Sequence, residues 1–547
     1  MHPLPCHEAD RNIPGMSTLQ PLPTEQLPSR ETPRRGLSCL LQGVVFNWGS
    51  LVIFALVSIV LTPIMIRHLG QYYYGMWMLI MSLVDQYGLL DMGMGTALSR
   101  FAGYFQGAEQ RNALDEVFST SLAFTLLIGV CVCLITLFVA LLLPPFFGFT
   151  GPGRPTFMRL VLLLGLTTAV AFPERMMSAY LRGIQRFDLP NIVSTSAVIV
   201  RGLLVLAAFW YGYGVLCVAA ITLIVGIASL AAHYAMIYKA DPLLSVRRKN
   251  VRKARLRELF SFSIYVFIAS VGTRLTSRVD SIVIARILTV ADITPFSIGS
   301  RLMDYFSGVL SGVHGPVMSA MCELHGRSEK HEFQKFFVRS SKVTLMLSFL
   351  LGSLLVFNGQ ALLSLWLGKS GMDLKVTYRI LVILTSCYVA FFAQLPSWTA
   401  IYARAQHRRL AWLALGEGLV NLGLSIYWGR QYGVVGVAMG TAVPALIDHL
   451  LIIPGYALRV ISFPVGDYIR QSVLRPLMAS LLFAGFCWLT MDPSGSFLKF
   501  VITIICQLVV FAVLAYLVGL SRDDRQLVRE LARRRLPRIW FLAAQKG

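Results

Sequence analysis

The chain has 547 residues, of which 56% are hydrophobic and only 14% are charged, and its mean hydropathy is +0.66. Soluble proteins carry far more charge, so this composition excludes that class. Apolar runs of about 20 residues recur and can each cross a membrane, whereas the alternating ten-residue segments of a transmembrane barrel are not seen. The net charge of +22 lies in loops, so it reflects topology, and no nucleic-acid partner is expected.

The first 40 residues are polar and Pro-rich and show no signal-peptide pattern, so we expect a disordered cytoplasmic tail. Hydropathy then predicts an all-α polytopic membrane protein of about 14 transmembrane helices. The predicted spans are 43–66, 75–95, 119–143, 157–180, 191–211, 214–238, 260–286, 294–318, 343–366, 376–402, 410–428, 433–456, 473–490 and 497–520.

Basic residues are concentrated in the loops that follow even-numbered spans, most densely in "KADPLLSVRRKNVRKARLR", residues 239–257. Loops after odd-numbered spans are short and poor in charge. The positive-inside rule therefore predicts that the even loops and both termini are cytoplasmic. The basic C-terminal segment 521–547 also carries Leu, Trp and Phe, so it is expected either to lie on anionic membrane lipid or to be a solvated tail.

Two segments resemble each other, "TPIMIRHLGQYYYGMW" and "DSIVIARILTVADITPFS". Each passes from an apolar helix through a basic residue, Arg67 or Arg286, into a tight turn and a new helix. About six spans belong to each half, which indicates two six-helix bundles of the kind found in repeat-built transporters. The predicted division is 1–40 tail, 41–240 first bundle, 241–258 basic linker, 259–457 second bundle, 458–520 two extra helices and 521–547 tail.

Several charged residues fall inside the predicted spans. A charge at the bilayer centre costs roughly 2.5–3.5 kcal/mol on insertion scales, so such residues are expected to face protein or a watery cavity. The charged residues in question are Asp85, Asp91, Glu174, Arg175, Arg201, Arg274, Arg278, Asp280, Arg301, Asp304, Glu417 and Asp448.

Helical spacing selects a subset of these residues. In the eighth span a polar stripe repeats every three or four residues, through Ser297, Arg301, Asp304, Gly308, Ser311 and Gly315. Arg301 and Asp304 either line a cavity or neutralise each other as an i,i+3 pair, and His314 is expected in the core. The predicted cavity residues are Arg274, Arg278, Arg301, Asp304, Asp85, Asn47, Glu417, Asn421 and Arg201.

Arginines in a cavity favour an anionic substrate, because guanidinium stays charged and presents a fork of donors to phosphate or carboxylate. The carboxylates could hold the arginines apart or carry a coupling proton or sodium ion, and the sequence leaves both open. Motifs for covalent catalysis are not found, so we expect no enzymatic activity and no cofactor. The nine cysteines show no zinc-ligand spacing.

The stretch "LTPIMIRHLGQYYYGMWMLIMSLVDQYGLLDMGMGTALSRF", Leu61 to Phe101, resembles the polysaccharide transporter family, which includes Wzx-type O-antigen flippases. The family pattern is R-x-L-G, Y-G-x-W, L-L-D-x-G-x-G and A-L-S-R. Further segments fit as well: "LRGIQRFDL", "RVDSIVIARIL", "PFSIG" and "YGVVGVAMGTAV". The resemblance covers about residues 40–520.

The resemblance implies the fold of the multidrug/oligosaccharidyl-lipid/polysaccharide (MOP) superfamily, with two six-helix bundles in a V around a central cavity and two extra C-terminal helices. It also implies a bacterial inner membrane and an undecaprenyl pyrophosphate-linked oligosaccharide as cargo. Other polysaccharide-assembly membrane proteins are possible partners. The competing hypotheses are a related drug/cation antiporter, an enzyme of glycan polymerisation or ligation, and a scaffold without transport.

Overall fold

The computed structural model describes residues 33–149, 151, 153–186, 188–257, 259, 267, 271–272, 274–275, 279–327, 329–368, 372–404, 406–491, 496–526 and 529. Every regular element among them is helical. The chain divides into a short unit, Met1–Val45, whose described residues 33–45 are helical, and a large unit, Phe46–Gly547.

The α-helices are α1 Pro33–Gln86, α2 Met94–Gly107, α3 Arg111–Leu142, α4 Gly153–Gly183, α5 Asp188–Trp210, α6 Val215–Ala240, α7 Asp280–Ile287, α8 Ile293–Gly326, α9 Lys330–Leu367, α10 Leu374–Ala393, α11 Leu395–Ala403, α12 His407–Ile447, α13 Ile453–Ile461, α14 Val465–Tyr468, α15 Leu474–Leu489 and α16 Phe497–Leu514. The 3₁₀ turns are Tyr87–Asp91, Pro145–Phe147, Arg248–Asn250 and Val290–Asp292. The π-helical turns are Asp448–Ile452, Ile469–Val473 and Ala515–Gly519.

Ten helical stretches of the described chain are long and apolar enough to cross a membrane, which confirms the all-α polytopic class. Their outer faces carry exposed apolar side chains such as Phe138, Leu203 and Leu508, as expected of surfaces that contact lipid. The ten stretches are Val52–Asp91, Arg111–Leu142, Gly153–Gly183, Asp188–Trp210, Val215–Ala240, Lys330–Leu367, Leu374–Ala403, Arg409–Ile461, Val465–Leu489 and Phe497–Gly519.

The count of 14 spans stays a prediction. Two of the ten stretches, Val52–Asp91 and Arg409–Ile461, each cover two predicted spans. The seventh predicted span, 260–286, lies mostly outside the described residues. The eighth corresponds to α8, which is not among the ten.

Helix α12 reverses direction at Gly433, whose φ of 64° and ψ of −148° lie outside the helical region. The Ser425 hydroxyl donates a hydrogen bond to the Val437 carbonyl at 3.3 Å, whereas twelve residues of straight helix would separate these positions by about 18 Å. The close approach continues at Gly440, where an added Cβ would lie 2.4 Å from the Ser425 nitrogen. The two arms of α12 therefore pack directly against each other.

Helix α1 reverses at Gly70, whose φ is 74° and ψ is 168°. The Arg301 guanidinium reaches both Ser58, with Nη1–Oγ 2.9 Å, and Met78, with Nη2–Sδ 3.7 Å. A straight helix would place Ser58 and Met78 about 30 Å apart. The turn predicted between the first two spans thus lies at Gly70.

The predicted basic linker is 241–258, and its described part, 241–257, lies against α3 rather than free of it. Asp241 accepts hydrogen bonds from Arg111 at 2.8 Å and from the Tyr180 hydroxyl. Further along, Arg255 pairs with Glu116 at 3.2 Å. These contacts tie the segment to the ends of α3 and α4. That the segment separates two bundles stays a prediction.

The largest apolar core is continuous across the chain. It joins buried side chains of α1, α3 and α4 to those of α7, α8, α10 and α12, for example Leu79 and Phe157 with Ile298, Leu381 and Val437. Two smaller cores lie within single regions, one around Phe118 and one around Phe337. The helices that surround the candidate site are therefore held against the first half by direct packing.

Gly433→Ala is expected to lower the free energy of unfolding by about 1–3 kcal/mol, because alanine is strained at positive φ. The matched control is Gly423→Ala on the same helix, where an added Cβ meets nothing within 4 Å and alanine favours the helix. Thermal unfolding of the purified protein measures both. Equal effects of the two substitutions would contradict the reversal at Gly433.

Asp241→Asn is expected to destabilise the protein at neutral pH by about 1–2 kcal/mol, with partial screening by water. Burial alone raises the pKa of Asp241, but the hydrogen bonds from Arg111 and Tyr180 outweigh burial and hold that pKa below its ordinary value. The stabilisation is therefore complete above the unfolded pKa of about 3.9 and is lost as the pH falls through the folded pKa.

The measurement is the pH dependence of unfolding for wild type and Asp241→Asn, whose difference should shrink below about pH 4. Asp467→Asn is the control, since Asp467 is exposed. A difference that stays constant down to acidic pH would mean that the carboxylate charge contributes nothing.

Candidate functional site

A cavity of about 510 Å³ lies among helices of the second half of the chain. Its acidic groups are Asp280 of α7, Asp304 of α8 and Glu417 of α12, and no Lys or Arg belongs to its described lining. The other lining residues are Phe296, Ser300, Ser307, His314, Leu384, Cys387, Tyr388, Phe391, Phe392, Leu395, Trp398, Tyr402, Ala414, Thr441, Ala445 and His449.

One wall of the cavity is aromatic and is built where α10 ends and α11 begins. Pro396 lies in the first turn of α11, where a proline needs no amide hydrogen bond, so the chain continues with only a slight break. Phe391 and Phe392 pack edge to face with centroids 4.8 Å apart, and Trp398 stacks on Tyr402 at 6.5 Å. The wall thus presents ring faces beside carboxylates.

Asp280 stands at the start of α7 with only 5% of its surface exposed. The Thr441 hydroxyl lies 3.2 and 3.1 Å from its two carboxylate oxygens. Ser425, across the α12 reversal, lies 3.3 Å from both the Asn421 amide oxygen and the Val437 carbonyl. Helix α7 and the two arms of α12 therefore bring a carboxylate, two hydroxyls, an amide and a carbonyl together.

No ion pair joins Asp280 to any described residue. A buried carboxylate without a basic partner is unfavourable in a membrane interior unless a proton or a cation neutralises it. The Asp280 carboxylate and the Thr441 hydroxyl are also oxygen groups of the kind that a small hard cation prefers. The arrangement can therefore hold either a proton or such an ion.

Three of the predicted cavity residues lie at or beside this cavity. Asp304 and Glu417 belong to its lining. Asn421 is one helical turn from Glu417 and contacts Ser425. These residues come together because α8 and α12 both face the aromatic wall.

Arg301 lies elsewhere, between α8 and the two arms of α1, where it contacts Ser58 and Met78. The face of α8 that lines the cavity follows Phe296, Ser300, Asp304, Ser307 and His314. The polar stripe predicted for the eighth span combines residues of this face with residues of the neighbouring face of α8. His314, which was expected in the core, lines the cavity, and Arg301 contacts α1 while it stays within electrostatic range of Asp304.

Arg274 and Asp85 form a contact between the two halves of the chain. The Arg274 Nη1 lies 3.3 Å from Asp85 Oδ2 and also donates to the Asp85 backbone carbonyl. Asp85 is 45% exposed and Arg274 is 24% exposed at the side chain. Neither belongs to the described lining of the cavity.

The remaining predicted cavity residues either lie away from this cavity or lie outside the part of the chain that the structure describes. Arg201 of α5 lies within electrostatic range of Glu174, which accepts a hydrogen bond from Ser229 at 2.7 Å. Arg278 and the side chain of Asn47 lie outside the described residues. Their role in a cavity stays a prediction.

The partner of Asp280 could not be found from the sequence. Asp280 was one of twelve intramembrane charges, but its partner Thr441 is 161 residues away. In the sequence, the spacing of the aromatic-wall residues and of His449 does not differ from that of ordinary buried apolar residues. The one available signal was the dense run of Gly residues at 433, 436 and 440, which predicts close helix packing near Ser425.

The all-helical fold, with its ten membrane-length helical stretches and the polar cavity within it, defines a polytopic membrane protein. The chain belongs to the polysaccharide biosynthesis protein family, whose family model matches residues 40–322. This confirms the resemblance drawn from the sequence. Two of its relatives are named as a transporter and a flippase rather than as enzymes.

A "Putative O-antigen transporter" of Shigella flexneri is 19% identical over 418 residues, which cover 76% of this chain and 96% of that protein. The structure of the lipid II flippase MurJ in an inward closed conformation has a TM-score of 0.69 at 17% identity, covering 89% of this chain and 100% of MurJ. The structure of an inward-facing multidrug resistance MATE transporter of the MOP superfamily has a TM-score of 0.67 at 13% identity. The match covers 77% of this chain and 98% of that transporter.

Arg301→Ala is expected to lower the free energy of unfolding by about 1–3 kcal/mol, because it removes contacts that join α8 to both arms of α1. Arg301→Lys keeps the charge without the fork of donors, so it should recover only part of this loss. Thermal unfolding is measured beside Arg154→Ala, a control at an exposed arginine. If Arg301→Ala unfolds like wild type, the contacts of Arg301 with α1 contribute nothing to stability.

Proposed function

We propose that this protein is a flippase that moves a lipid-linked oligosaccharide from the inner to the outer leaflet of a bacterial inner membrane for surface polysaccharide assembly. Membership of the polysaccharide biosynthesis protein family is the observation that carries the proposal. The fold shared with MurJ supports it. The lipid is undecaprenyl pyrophosphate in this proposal, and its tail stays in the bilayer while the head crosses.

The cavity chemistry suits a sugar head group. A carboxylate such as Asp304 accepts hydrogen bonds from sugar hydroxyls, and the Ser300 and Ser307 hydroxyls add donors and acceptors. Aromatic faces such as Trp398 pack against the apolar faces of pyranose rings. A cavity of about 510 Å³ lies within the range of small-molecule sites and fits one or two sugar residues.

In this proposal the arginines contact the pyrophosphate. Arg274 and Arg301 lie at the seam between the first and second halves of the chain, where they now contact Asp85, Ser58 and Met78. Alternating access requires these seam contacts to break. An anionic head group is the natural replacement partner, since guanidinium binds phosphate with paired hydrogen bonds.

The same proposal covers topology, coupling and partners. Both termini are cytoplasmic, as the basic loops predict, and the C-terminal segment contacts anionic lipid. Asp280, with Thr441 beside it, holds the coupling proton or sodium ion. Other membrane proteins of polysaccharide assembly are the expected partners.

The test uses a strain that lacks the gene, in which surface glycan and undecaprenyl-linked oligosaccharide are quantified. We expect loss of glycan and build-up of the lipid-linked precursor, with rescue by wild type. Asp304→Asn should reduce glycan about tenfold or more, equivalent to 1.4 kcal/mol of lost interaction, at equal protein level. Asp467→Asn, at an exposed position, is the matched control and should rescue fully.

A drug/cation antiporter is the second candidate, and a specific observation favours it. The described cavity lining combines three carboxylates with aromatic rings and has no Lys or Arg, which is also how proteins bind organic cations. Unchanged glycan and precursor in the deletion strain, together with altered sensitivity to cationic drugs, would replace the flippase by this function.

A further inference from the structure

A second cluster of polar groups lies at the edge of the cavity, on the first arm of α12 and on the π turn that follows its second arm. Glu417, Asp448 and His449 each direct one potential ligand atom towards the others, and these atoms all lie within 4.8 Å of one another. Glu417 and His449 line the cavity. Asp448 Oδ2 lies 3.4 Å from His449 Nδ1.

The local backbone explains how consecutive residues can serve one site. Asp448 begins a π-helical turn, Asp448–Ile452, directly after α12. A π turn is wider than an α turn and turns the chain less per residue, so neighbouring side chains diverge less. Such turns are rare and occur frequently at functional sites.

Asp448 and His449 are buried, with only 4% and 5% of their surfaces exposed. Their facing atoms, Asp448 Oδ2 and His449 Nδ1, have no hydrogen-bond partner. The imidazole is held by Phe391, with ring centroids 5.0 Å apart, and by Trp398, at 6.3 Å. Packing thus fixes the ring while leaving its nitrogen directed at the two carboxylates.

We propose that Glu417, Asp448 and His449 bind a divalent transition-metal ion of the zinc class. Two carboxylates this close in a membrane interior need a positive charge between them. The imidazole selects against sodium, magnesium and calcium, which prefer oxygen ligands, and favours zinc or a similar ion.

The spacing fits this ion. Ligands about 2.1 Å from a tetrahedral zinc lie about 3.4 Å apart, the distance between Asp448 Oδ2 and His449 Nδ1. Glu417 reaches the remaining position by rotation about its side-chain bonds, and the cavity supplies room for water as the fourth ligand. The metal joins α12 to the π turn and removes negative charge from the cavity wall, whatever the cargo is.

The test measures zinc bound to the purified full chain by equilibrium dialysis and elemental analysis. The affinity tag contains no histidine, and His2→Asn, Cys6→Ser and His7→Asn are present in every sample so that the N-terminal segment binds no zinc. We expect one zinc ion per chain, with nitrogen and oxygen ligands only by X-ray absorption.

His449→Asn and, separately, Asp448→Asn should weaken zinc binding at least about tenfold. His314→Asn is the matched control, because His314 lines the same cavity but is not in the cluster, and it should bind zinc like wild type. Thermal unfolding without metal checks that each variant is folded. If His449→Asn does not fold, the zinc affinity of Asp448→Asn decides the test. No stoichiometric zinc in wild type, or equal binding by all variants, would overturn the proposal.

Discussion

The cost of holding a carboxylate inside a membrane without a basic partner is the constraint on which the second half of this molecule depends. Asp280 and Glu417 form no ion pair with any described residue, and each needs compensation from neighbouring dipoles, a proton or a cation. For Asp280 the Thr441 hydroxyl supplies part of this compensation. Helices that carry such groups cannot turn them towards lipid, so α7, α8 and α12 face inward and enclose a cavity with the aromatic wall of α10 and α11.

The reversal of α12 at Gly433 is what makes this enclosure possible. Because the two arms touch at Ser425 and Gly440, Thr441 on the second arm reaches Asp280, while Glu417 on the first arm lies near the end of the second. A single helix hairpin therefore supplies residues to both polar clusters of the cavity. The electrostatics of the two clusters are consequently coupled through the backbone turn at Gly433, and a change in the angle of the hairpin would alter both.

Hydropathy alone predicted the fold class, because the lipid solvent imposes a long apolar helix for each crossing. The turn at Gly70 was also readable, since a basic residue and a glycine close an apolar run there. Asp304 and Glu417, two of the residues predicted for a cavity, belong to the described cavity lining. Periodicity could not predict the contacts of Arg301. It shows which face of a helix a residue occupies but not which helix packs against that face, and a long arginine side chain reaches beyond its own face. Nor could it pair Asp280 with Thr441, which only the α12 reversal brings together.

The resulting distribution of charge bears on how an anionic cargo could cross. The described cavity wall is acidic, and Arg274 and Arg301 are held at the seam by Asp85 and by Ser58 with Met78. An acidic wall repels a phosphate but hydrogen-bonds sugar hydroxyls, so the two parts of a lipid-linked sugar would be recognised in different places. In the proposed cycle the arginines become available only when the seam opens. The phosphate would then stabilise the open seam, and the cargo itself would favour the conformational change that carries it.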